Sequence, residues 1–362
     1  MIRLDYSNDT NMTDLSQKEK KILAIFLQKK ELQSSATHEE MLRQGEDMSL
    51  VTVKRALSGL VKKGMLVAKG SGRSVSYELA ASGRVFAEIN ASEYIAIDPD
   101  KRYGLHGYNF GLFSEFPAEI FSAAELDVLH AATAAYKEKA KDVSDAVQKK
   151  ELERLIVELS WKSSKIEGNT YTLLDTENLL LKNTPAPGKT EAETRMILNH
   201  RDAFNFVHTN KNLFAELTQR NIEELHRLLV KDTGVGFGLR KSPVGVSGSI
   251  YRPLDTVYQV AEALEALFEV VRTLESPYGK ACAALLGISY IQPFEDGNKR
   301  TGRLAAGAIL MAHGCAPLSY RSVDEETYRE ATLVFYELNS IGPFKKIFIE
   351  QYDFSARNYA VR

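Results

Sequence analysis

The sequence is poor in cysteine and contains no long apolar run. Of its 362 residues only two are cysteines, Cys282 and Cys315, and both stand among apolar residues. Domains held by disulfides or structural metals use more cysteines, so we predict two buried thiols and no zinc site. The apolar runs are far shorter than the roughly 20 residues of a membrane helix, and the opening residues MIRLDY lack an apolar signal core. We therefore expect a protein of the cytoplasm without a membrane partner.

The chain also lacks a strong excess of charge. Its net charge of −2 gives no reason by itself to expect a nucleic-acid partner. Residues 15–86, however, hold 13 Lys and Arg against 7 Asp and Glu, and the remainder is acidic. Apolar residues make up 44% and charged residues 26%, which is typical of globular proteins, and the length allows two domains. The charge pattern indicates a separate basic N-terminal domain.

Hydrophobic spacing in the basic part predicts three helices followed by a β-hairpin. The first helix begins near Ser16, a capping box at Thr37 opens the second, and Ser49 caps the third. Two strand-like segments then flank a glycine-rich turn at 70–73. This order of elements resembles a winged helix-turn-helix domain, which we place at residues 1–86.

The third helix carries the candidate DNA-contacting side chains. Thr52, Lys54 and Arg55 lie on its predicted exposed side, where a recognition helix faces the major groove. Arg73 stands at the tip of the predicted wing, in reach of phosphate. The alternative is a docking domain with a solvated basic face, because winged helices also bind proteins and the basic excess is modest. Duplex DNA is the favoured partner of this domain.

The rest of the chain predicts helices almost throughout. Residues 87–116 mix glycine, proline and aromatic residues, and we expect this connector to pack on the next domain. Nine segments of helical spacing follow in residues 117–362, at about 122–139, 145–168, 190–208, 218–230, 256–273, 278–291, 300–313, 324–337 and 344–359. Alternation around two glycines between Val244 and Tyr251 predicts a short β-hairpin. We therefore predict a mainly α protein, in which a helical domain with one β-hairpin flap follows the small winged helix domain.

One turn between two apolar helices has the pattern of an anion site. Asp296, Gly297 and Asn298 stand directly before a helix, where free N–H groups and the helix dipole favour negative charge. Arg300 and Arg303 share a face of that helix and can both reach a polyphosphate. Asp296 is a candidate ligand for Mg²⁺ held against the same phosphates. The competing interpretation is an ordinary interhelical turn with solvated arginines.

The whole segment resembles the signature of the Fic family, His-x-Phe-x-Asp/Glu-Gly-Asn-Gly/Lys-Arg-x-x-Arg. The matching residues are Phe294, Asp296, Gly297, Asn298, Lys299, Arg300 and Arg303. The resemblance covers about residues 116–347 and implies a helical domain that binds ATP with Mg²⁺ and transfers AMP to a hydroxyl side chain of a target protein. In that comparison Phe294 anchors the loop and Asp296 holds the metal. The catalytic positions would be Gln292, Asn298 and Arg300. The residues expected around the nucleotide are Glu167, Phe294, Asp296, Gly297, Asn298, Lys299, Arg300, Gly302 and Arg303.

A second segment resembles the inhibitory motif of the same family, Ser/Thr-x-x-x-Glu-Gly/Asn. Ser163, Glu167 and Gly168 fit it, at the end of the predicted helix 145–168. The resemblance implies that Glu167 pairs with Arg303 and occupies the space that the γ-phosphate of ATP needs. The alternative is a surface carboxylate at a helix end.

The segment 238–253, which contains the predicted hairpin, is similar to the flap of the same family, which binds the target backbone by strand addition. The flap positions are Val246, Ser247, Gly248 and Tyr251. A protein with an acceptor hydroxyl is therefore an expected partner. Helical bundles with apolar outer stripes often dimerise, so a second copy of the chain is another.

One departure from the signature concerns its first residue, where this chain has Gln292 in place of the family's general base, His. An amide side chain does not titrate near neutral pH, and general-base catalysis is typically worth about 10²–10⁴-fold in rate. We expect no other histidine to replace it. His313 lies roughly 20 Å along the helix from Arg300, at about 1.5 Å per residue, and the resemblance assigns His226 to packing.

Three explanations for Gln292 stay open: the natural residue of a nucleotide-sensing protein, a replacement introduced by hand, or a weak site that a reactive target tolerates. The alternative function is a DNA-binding regulator whose helical domain senses nucleotide or dimerises without catalysis.

Overall fold

The computed structural model describes residues 14–141 and 143–361, so part of the predicted domain 1–86 lies outside it, as does the side chain of Arg73. Helices dominate the described residues, and their strands are confined to the N-terminal domain. The predicted mainly α fold with a small sheet-containing N-terminal domain is confirmed. No helix in the described ranges is long and apolar enough to cross a lipid bilayer.

The N-terminal domain combines four helices with a three-stranded antiparallel sheet. Its elements are α1 (Gln17–Gln28), β1 (Glu31–Gln33), α2 (Ser34–Arg43), α3 (Leu50–Lys62), β2 (Leu66–Lys69), β3 (Ser76–Leu79) and α4 (Ala81–Phe86). The strand order is β1-β3-β2, and Tyr77 of the central strand lies opposite both Leu32 and Ala68. The predicted three helices and hairpin are present, and β1 completes the sheet.

Helix caps show which local signals set these boundaries. Ser16 and Ser49 accept N–H bonds of 3.2 Å at the starts of α1 and α3, as predicted. The predicted capping box at Thr37 is wrong, because α2 already begins at Ser34 and Thr37 donates its hydroxyl to the Gln33 backbone oxygen at 3.0 Å. The cause is β1, which pairs with β3 and leads directly into α2.

Aromatic residues of the connector pack against the helical domain. The connector contains α5 (Ala91–Ile95) and α6 (Gly111–Ser114). The Tyr108 ring stacks on Tyr290 with centroids 5.2 Å apart, and Phe113 is buried. Through these aromatic contacts the connector contributes to the core of the helical domain.

Ten helices form the helical domain within the described residues. They are α7 (Ala123–Lys141), α8 (Asp145–Ile166), α9 (Leu173–Lys182), α10 (Glu191–Thr209), α11 (Gln219–Leu229), α12 (Val257–Thr273), α13 (Pro277–Ile291), α14 (Asn298–Ala312), α15 (Glu325–Leu338) and α16 (Gly342–Asn358). All but α9 were predicted. Helix α13 is buried on every side and packs against α12, α14 and α15. The segment that joins α13 to α14 therefore starts and ends in the core.

Two glycines allow close approach around α13. A Cβ atom at Gly302 would lie 2.8 Å from the Leu285 backbone oxygen, and one at Gly287 would overlap the side chain of Leu267. Gly302 therefore serves helix packing. It does not line the cavity described below, contrary to the expectation that it surrounds the nucleotide.

The two cysteines are free, buried thiols, as predicted. Burial raises the pKa of Cys282 to about 12, so this thiol stays protonated and inert near neutral pH.

Candidate functional site

A cavity of about 480 Å³ lies where four segments meet. These are the C-terminal end of α8, the flap (residues 244–251), the signature loop (residues 292–298) and one face of α15. The residues that line it include Glu167, Gly168, Val246, Ser247, Gln292, Asp296, Gly297, Asn298 and Lys299. The structure therefore brings predicted inhibitory, flap and signature residues together around one space.

Phe294 anchors the signature loop in the core. Its side chain is buried, and its ring stacks on His226 with centroids 3.8 Å apart and planes 6° apart. His226 Nε2 lies 3.0 Å from the Asp296 backbone oxygen. Burial is the main cause that lowers the pKa of His226 to about 4. The ring is thus neutral near pH 7 and donates its Nε2 hydrogen to that oxygen.

The side-chain amides of Asn298 and Gln292 hold the loop together. Asn298 accepts the Phe294 N–H and donates to the Phe294 oxygen, both at 2.8 Å. It also donates to Gln292 Oε1 at 2.9 Å, while Gln292 Nε2 donates to the Ser289 backbone oxygen at 2.6 Å. Both polar ends of Gln292 are therefore engaged within the loop, and only 9% of the residue is exposed.

Arg240 supports the loop from outside the signature and was not singled out in the sequence. Its backbone N–H donates to the Pro293 oxygen at 2.9 Å, and its Nε donates to the Gln292 oxygen at 2.6 Å. Gln292 itself has a left-handed φ of 52°. Because a buried guanidinium needs partners, Arg240 and the two carbonyl oxygens stabilise each other across 52 positions of sequence. No local pattern signals such a contact.

The start of α14 lines the cavity. Gly297, with φ of 80°, is the N-cap, and the helix begins at Asn298. First-turn N–H groups have no acceptor in their own helix, and the dipole adds positive potential there. Arg300 Nη2 donates to Asp296 Oδ2 at 2.8 Å, with the Asp296 side chain 65% exposed and that of Arg300 5%. The turn has the geometry of an anion site beside an accessible carboxylate.

Glu167 and Arg303 form an ion pair at the end of α8. Arg303 Nη2 donates to Glu167 Oε1 at 2.9 Å, and the same guanidinium donates to the Ser163 backbone oxygen and hydroxyl, each at 2.9 Å. Lys299 Nζ lies 3.4 Å from Glu167 Oε2. Gly168 follows with φ of 92°. Arg303 is buried whereas 19% of the Glu167 side chain is exposed, so the carboxylate stands between Arg303 and the cavity.

Glu167 is charged near neutral pH. Burial alone would raise the pKa of its carboxyl group, but the charges of Arg303 and Lys299 outweigh burial and hold the pKa below its usual value. Burial would lower the pKa of Arg303, and the Glu167 charge instead holds it above its usual range. An anion that reaches Arg303 must therefore displace a charged carboxylate.

No histidine of the described ranges lines this cavity. His200 is fully buried with neither ring nitrogen hydrogen-bonded, and burial, with the charges of Arg303 and Arg300, lowers its pKa to about 3. His313 Nδ1 lies 2.8 Å from the Ile309 backbone oxygen. The described residues thus offer no imidazole at the cavity in place of Gln292.

The flap lines the cavity with Val246 and Ser247, but its backbone differs from the predicted β-hairpin. Residues 244–251 form no ladder, and a turn closes through the Ser249 N–H and the Val246 oxygen at 3.2 Å. Tyr251 is buried and donates its hydroxyl to the Tyr290 backbone oxygen at 2.8 Å, so it anchors the flap away from the cavity.

Distant side chains replace the cross-strand bonds of a hairpin. The Gly248 oxygen accepts from Arg102 at 2.9 Å, and Glu337 accepts from the Ser249 hydroxyl at 2.7 Å and the Ile250 N–H at 3.3 Å. Backbone groups that are satisfied in this way have no need of a strand partner.

The predicted DNA-contacting residues of the third helix lie on the exposed side of α3. Thr52, Lys54 and Arg55 are all exposed, and so is the apolar Val51, at 65%. The backbone of Arg73 lies between β2 and β3 at the tip of the wing, and its side chain is outside the described part. A mixed basic and apolar helix face is therefore open to a partner.

Comparison with known proteins bears on both parts of the chain. Residues 216–310 match the model of the Fic/DOC family, and the match includes the signature loop. The chain contains a Fic domain. Residues 15–95 match the model of the penicillinase repressor family, in agreement with the winged-helix arrangement of the N-terminal domain.

Curated relatives resemble this chain around the Fic domain. A protein adenylyltransferase Fic from Drosophila erecta is 32% identical over 162 residues, which are 44% of this chain and 32% of that protein. One of the same name from Nematostella vectensis is 31% identical over 177 residues, which are 47% of this chain and 41% of that protein. This chain thus spans less than half the length of either relative.

Solved structures share the fold. Fic-1 from C. elegans aligns with a TM-score of 0.53 at 23% identity and covers 66% of this chain and 71% of its own. A Fic domain containing signaling protein from Bacteroides thetaiotaomicron aligns with a TM-score of 0.54 at 20% identity and covers 63% and 94%. The Fic-type helical fold is confirmed.

Proposed function

We propose that this protein binds ATP with Mg²⁺ in the cavity and transfers AMP to a hydroxyl side chain of a target protein. Glu167 restrains nucleotide binding, and Gln292 makes the transfer step weak. The observation that carries the proposal is the buried Arg303, paired at 2.9 Å with a carboxylate that faces the cavity beside the free amides of α14. The Fic/DOC match and relatives named protein adenylyltransferase support it.

The polyphosphate of ATP would lie on the first turn of α14. The amides that follow Gly297 are free to donate, and Arg300 and Arg303 supply the positive charge. Arg303 is engaged by Glu167 in the structure. The nucleotide and Glu167 therefore compete for the guanidinium of Arg303, and this competition weakens nucleotide binding. The Lys299 Nζ atom lies 3.4 Å from the Glu167 carboxylate and would pair with the phosphates once they are bound.

Asp296 fits a Mg²⁺ ion that is held jointly with those phosphates. Its side chain is 65% exposed and lines the cavity, and Arg300 orients it. Mg²⁺ is commonly bound by one or two carboxylates plus substrate phosphates. One aspartate therefore suffices, although the described residues contain no cluster of three or more ligating side chains. The ion would neutralise phosphate charge.

In the transfer step, the target hydroxyl oxygen bonds to the α-phosphorus, the bond from that phosphorus to the bridging oxygen breaks, and pyrophosphate leaves. The hydroxyl proton needs an acceptor. Gln292 has no basic group, and both polar ends of its amide are bonded to Ser289 and Asn298. We therefore expect transfer that is slower by about 10²–10⁴-fold than with a general base at this position.

Calorimetric titration with Mg-ATP tests nucleotide binding. We expect Glu167→Gly to bind ATP at least about tenfold more tightly than the unmodified chain, which corresponds to about 1.4 kcal/mol, and to gain less for ADP, which lacks the γ-phosphate. Glu295→Gln is the matched control, because Glu295 lines the same cavity without contacting Arg303. Absence of binding by both the unmodified chain and Glu167→Gly would remove the nucleotide proposal.

The match of residues 15–95 to the penicillinase repressor model favours a second candidate function, DNA-binding regulation. Duplex DNA would contact Thr52, Lys54 and Arg55 on α3 and the wing at Arg73. The Fic domain would sense nucleotide or dimerise, and the two functions can coexist. We also propose that the domains of the chain meet near residues 86 and 116. We expect the protein in the cytoplasm.

A mobility-shift assay with duplex DNA at two salt concentrations tests the second function. We expect Lys54→Ala combined with Arg55→Ala to weaken binding and to reduce its salt dependence, because phosphate contacts release counterions. Lys29→Ala combined with Lys30→Ala is the matched control, since both lysines are exposed just after α1. A shift that survives the first pair and is lost with the second would assign DNA to a different face.

A further inference from the structure

The connector, the flap and α15 meet at one buried ion pair outside the cavity. Arg102 Nη1 lies 3.1 Å from Glu337 Oε1, and the side chains are 4% and 0% exposed. Neither residue belongs to the signature or lines the cavity. A buried pair repays its desolvation only when its remaining polar atoms are also bonded, so their partners indicate what the pair holds.

Arg102 binds both the connector and the flap. Its Nε donates to the Ile97 oxygen at 2.9 Å, and its Nη2 donates to the Ile95 oxygen at 2.8 Å. Its Nη1 donates to the Gly248 oxygen at 2.9 Å. One guanidinium thus joins the end of α5 to the turn of the flap.

Glu337 binds the same two segments from α15. Its Oε1 accepts from the Ser249 hydroxyl at 2.7 Å and from the Ile250 N–H at 3.3 Å. Its Oε2 accepts from the Tyr94 hydroxyl at 2.8 Å. The Glu337 carboxylate therefore binds the flap and α5 at the same time.

The N-terminal domain meets the chain directly after this end of α15. The Ser340 hydroxyl donates to the Ala87 oxygen at 2.7 Å, and the Ile341 N–H donates to the Val85 oxygen at 3.1 Å. Helix α4, which ends at Phe86, is thereby attached within a few residues of Glu337.

We propose that Arg102 and Glu337 are positioning residues that hold the flap at the cavity and tie it to the connector. The proposal rests on the proposed function only in assigning the flap to target binding. A displacement of the connector reaches the flap through this pair, whereas the signature loop is held by Asn298, His226 and Arg240, none of which is bonded to the pair. The flap can therefore respond to the N-terminal domain while the anion site stays in place.

There is no room for a side chain at Gly104, beside the pair of Arg102 and Glu337. A Cβ atom at Gly104 would lie 2.5 Å from Tyr94 Oη and 2.8 Å from Glu337 Cβ. The methyl group introduced by Gly104→Ala should therefore push the connector away from α15, while every charged group is kept.

Hydrogen exchange of the full chain without nucleotide tests the proposal independently of catalysis. We expect Glu337→Gln and Gly104→Ala to speed exchange of flap amides, Ile250 included, by about tenfold or more, while α13 stays protected. Lys345→Met is the matched control. It breaks the partly buried pair of Lys345 and Glu125, 2.8 Å apart, which joins α16 to α7 and has no contact with the flap.

Unchanged flap exchange in both variants overturns the proposal, and so does equal acceleration in the flap and in α13. If Glu337→Gln fails to fold, Tyr94→Phe removes one hydroxyl bond and should speed flap exchange about two- to threefold, and its failure to do so is equally decisive.

An activity measurement separates this proposal from the proposed function. In a chain with Glu167→Gly and Gln292→His, we expect Glu337→Gln to raise the KM for the target protein with little change in kcat or ATP affinity. A loosened flap in a chain that transfers no AMP supports the positioning role and counts against the proposed function.

Discussion

Two arginine–glutamate pairs flank the flap and the cavity, and they differ in access to solvent. Arg102 and Glu337 are both sealed, with side chains 4% and 0% exposed. Arg303 is sealed as well, but 19% of the Glu167 side chain faces the cavity. The same chemical pair is therefore enclosed in one place and partly accessible in the other, and we propose that the accessible acid of the second pair is displaced by a competing anion. We call the pair of Glu167 and Arg303 the displaceable pair.

Transfer of AMP should depend on the displaceable pair and on the missing base. We expect Glu167→Gly with Gln292→His to label itself or lysate proteins from radiolabelled ATP about 10²–10⁴-fold faster than Glu167→Gly alone, because the histidine can accept the hydroxyl proton. Glu337→Gln with Gln292→His should gain nothing comparable. Absence of labelling by the first double variant would mean that the Fic domain does not act as a transferase.

Stability should show the opposite dependence. We expect Glu337→Ala to lower the free energy of unfolding by about 3–5 kcal/mol, because it leaves a buried guanidinium without its counter-charge and three further donors without an acceptor. Glu167→Ala should cost about 1 kcal/mol or less, since Arg303 keeps both bonds to Ser163. Urea unfolding curves measure both values. Equal losses would mean that the two pairs contribute alike to the stability of the fold, contrary to this prediction.

Acid should weaken the fold through two neutral histidines close to the displaceable pair. The pKa values of His200 and His226 fall to about 3 and about 4, chiefly by burial. As pH falls below about 6.5, the unfolded chain binds protons that the folded chain cannot, so stability declines by up to about 1.4 kcal/mol per pH unit for each histidine. Glu167, whose pKa is lowered in the folded chain, contributes stability that is lost only as pH falls below the usual pKa of a glutamate, about 4.3.

We expect His200→Met to flatten the decline in urea-unfolding free energy between pH 6.5 and 5 relative to the unmodified chain. His106→Gln, at an exposed position, is the control. An unchanged slope for His200→Met would show that this ring takes up its proton in the folded state.

Lys299 should have the smallest effect. It lies 3.4 Å from Glu167 and is 36% exposed, so solvent screens the pair. We expect Lys299→Ala to lower the free energy of unfolding by less than about 1 kcal/mol in the same urea experiment. A larger loss would make Lys299 a full partner of the displaceable pair.

Local features of the sequence predicted most of the helices. The cap at Ser49 and the apolar spacing of α13 and α14 carry their signals within a few residues. Helix α9 was missed because Leu174 and Leu181 lie on its exposed side, so its leucines do not mark one buried face. Strand β1 was missed because three residues acquire strand character only by pairing with β3.

The sequence motifs predicted which residues meet at the candidate site, but they did not predict the distant residues that hold those residues in place. The signature placed Phe294 and Asp296 in one loop, as the structure does. Nothing nearby in the sequence indicates that Arg240 bonds to that loop or that Arg102 and Glu337, 235 positions apart, replace the bonds of the predicted hairpin. Such partners are chosen by the folded arrangement of elements that are far apart in the chain.

The bare Cα of Gly302 has an effect beyond helix packing. Because α14 lies against the Leu285 carbonyl group with no room for a methyl group, the helix has only one depth at which it can sit, and the amides at its first turn inherit that depth. A residue that does not line the cavity thus sets the position of the turn at which we propose that phosphate binds. Adding one carbon at Gly302 should shift that turn while every polar group in it stays the same.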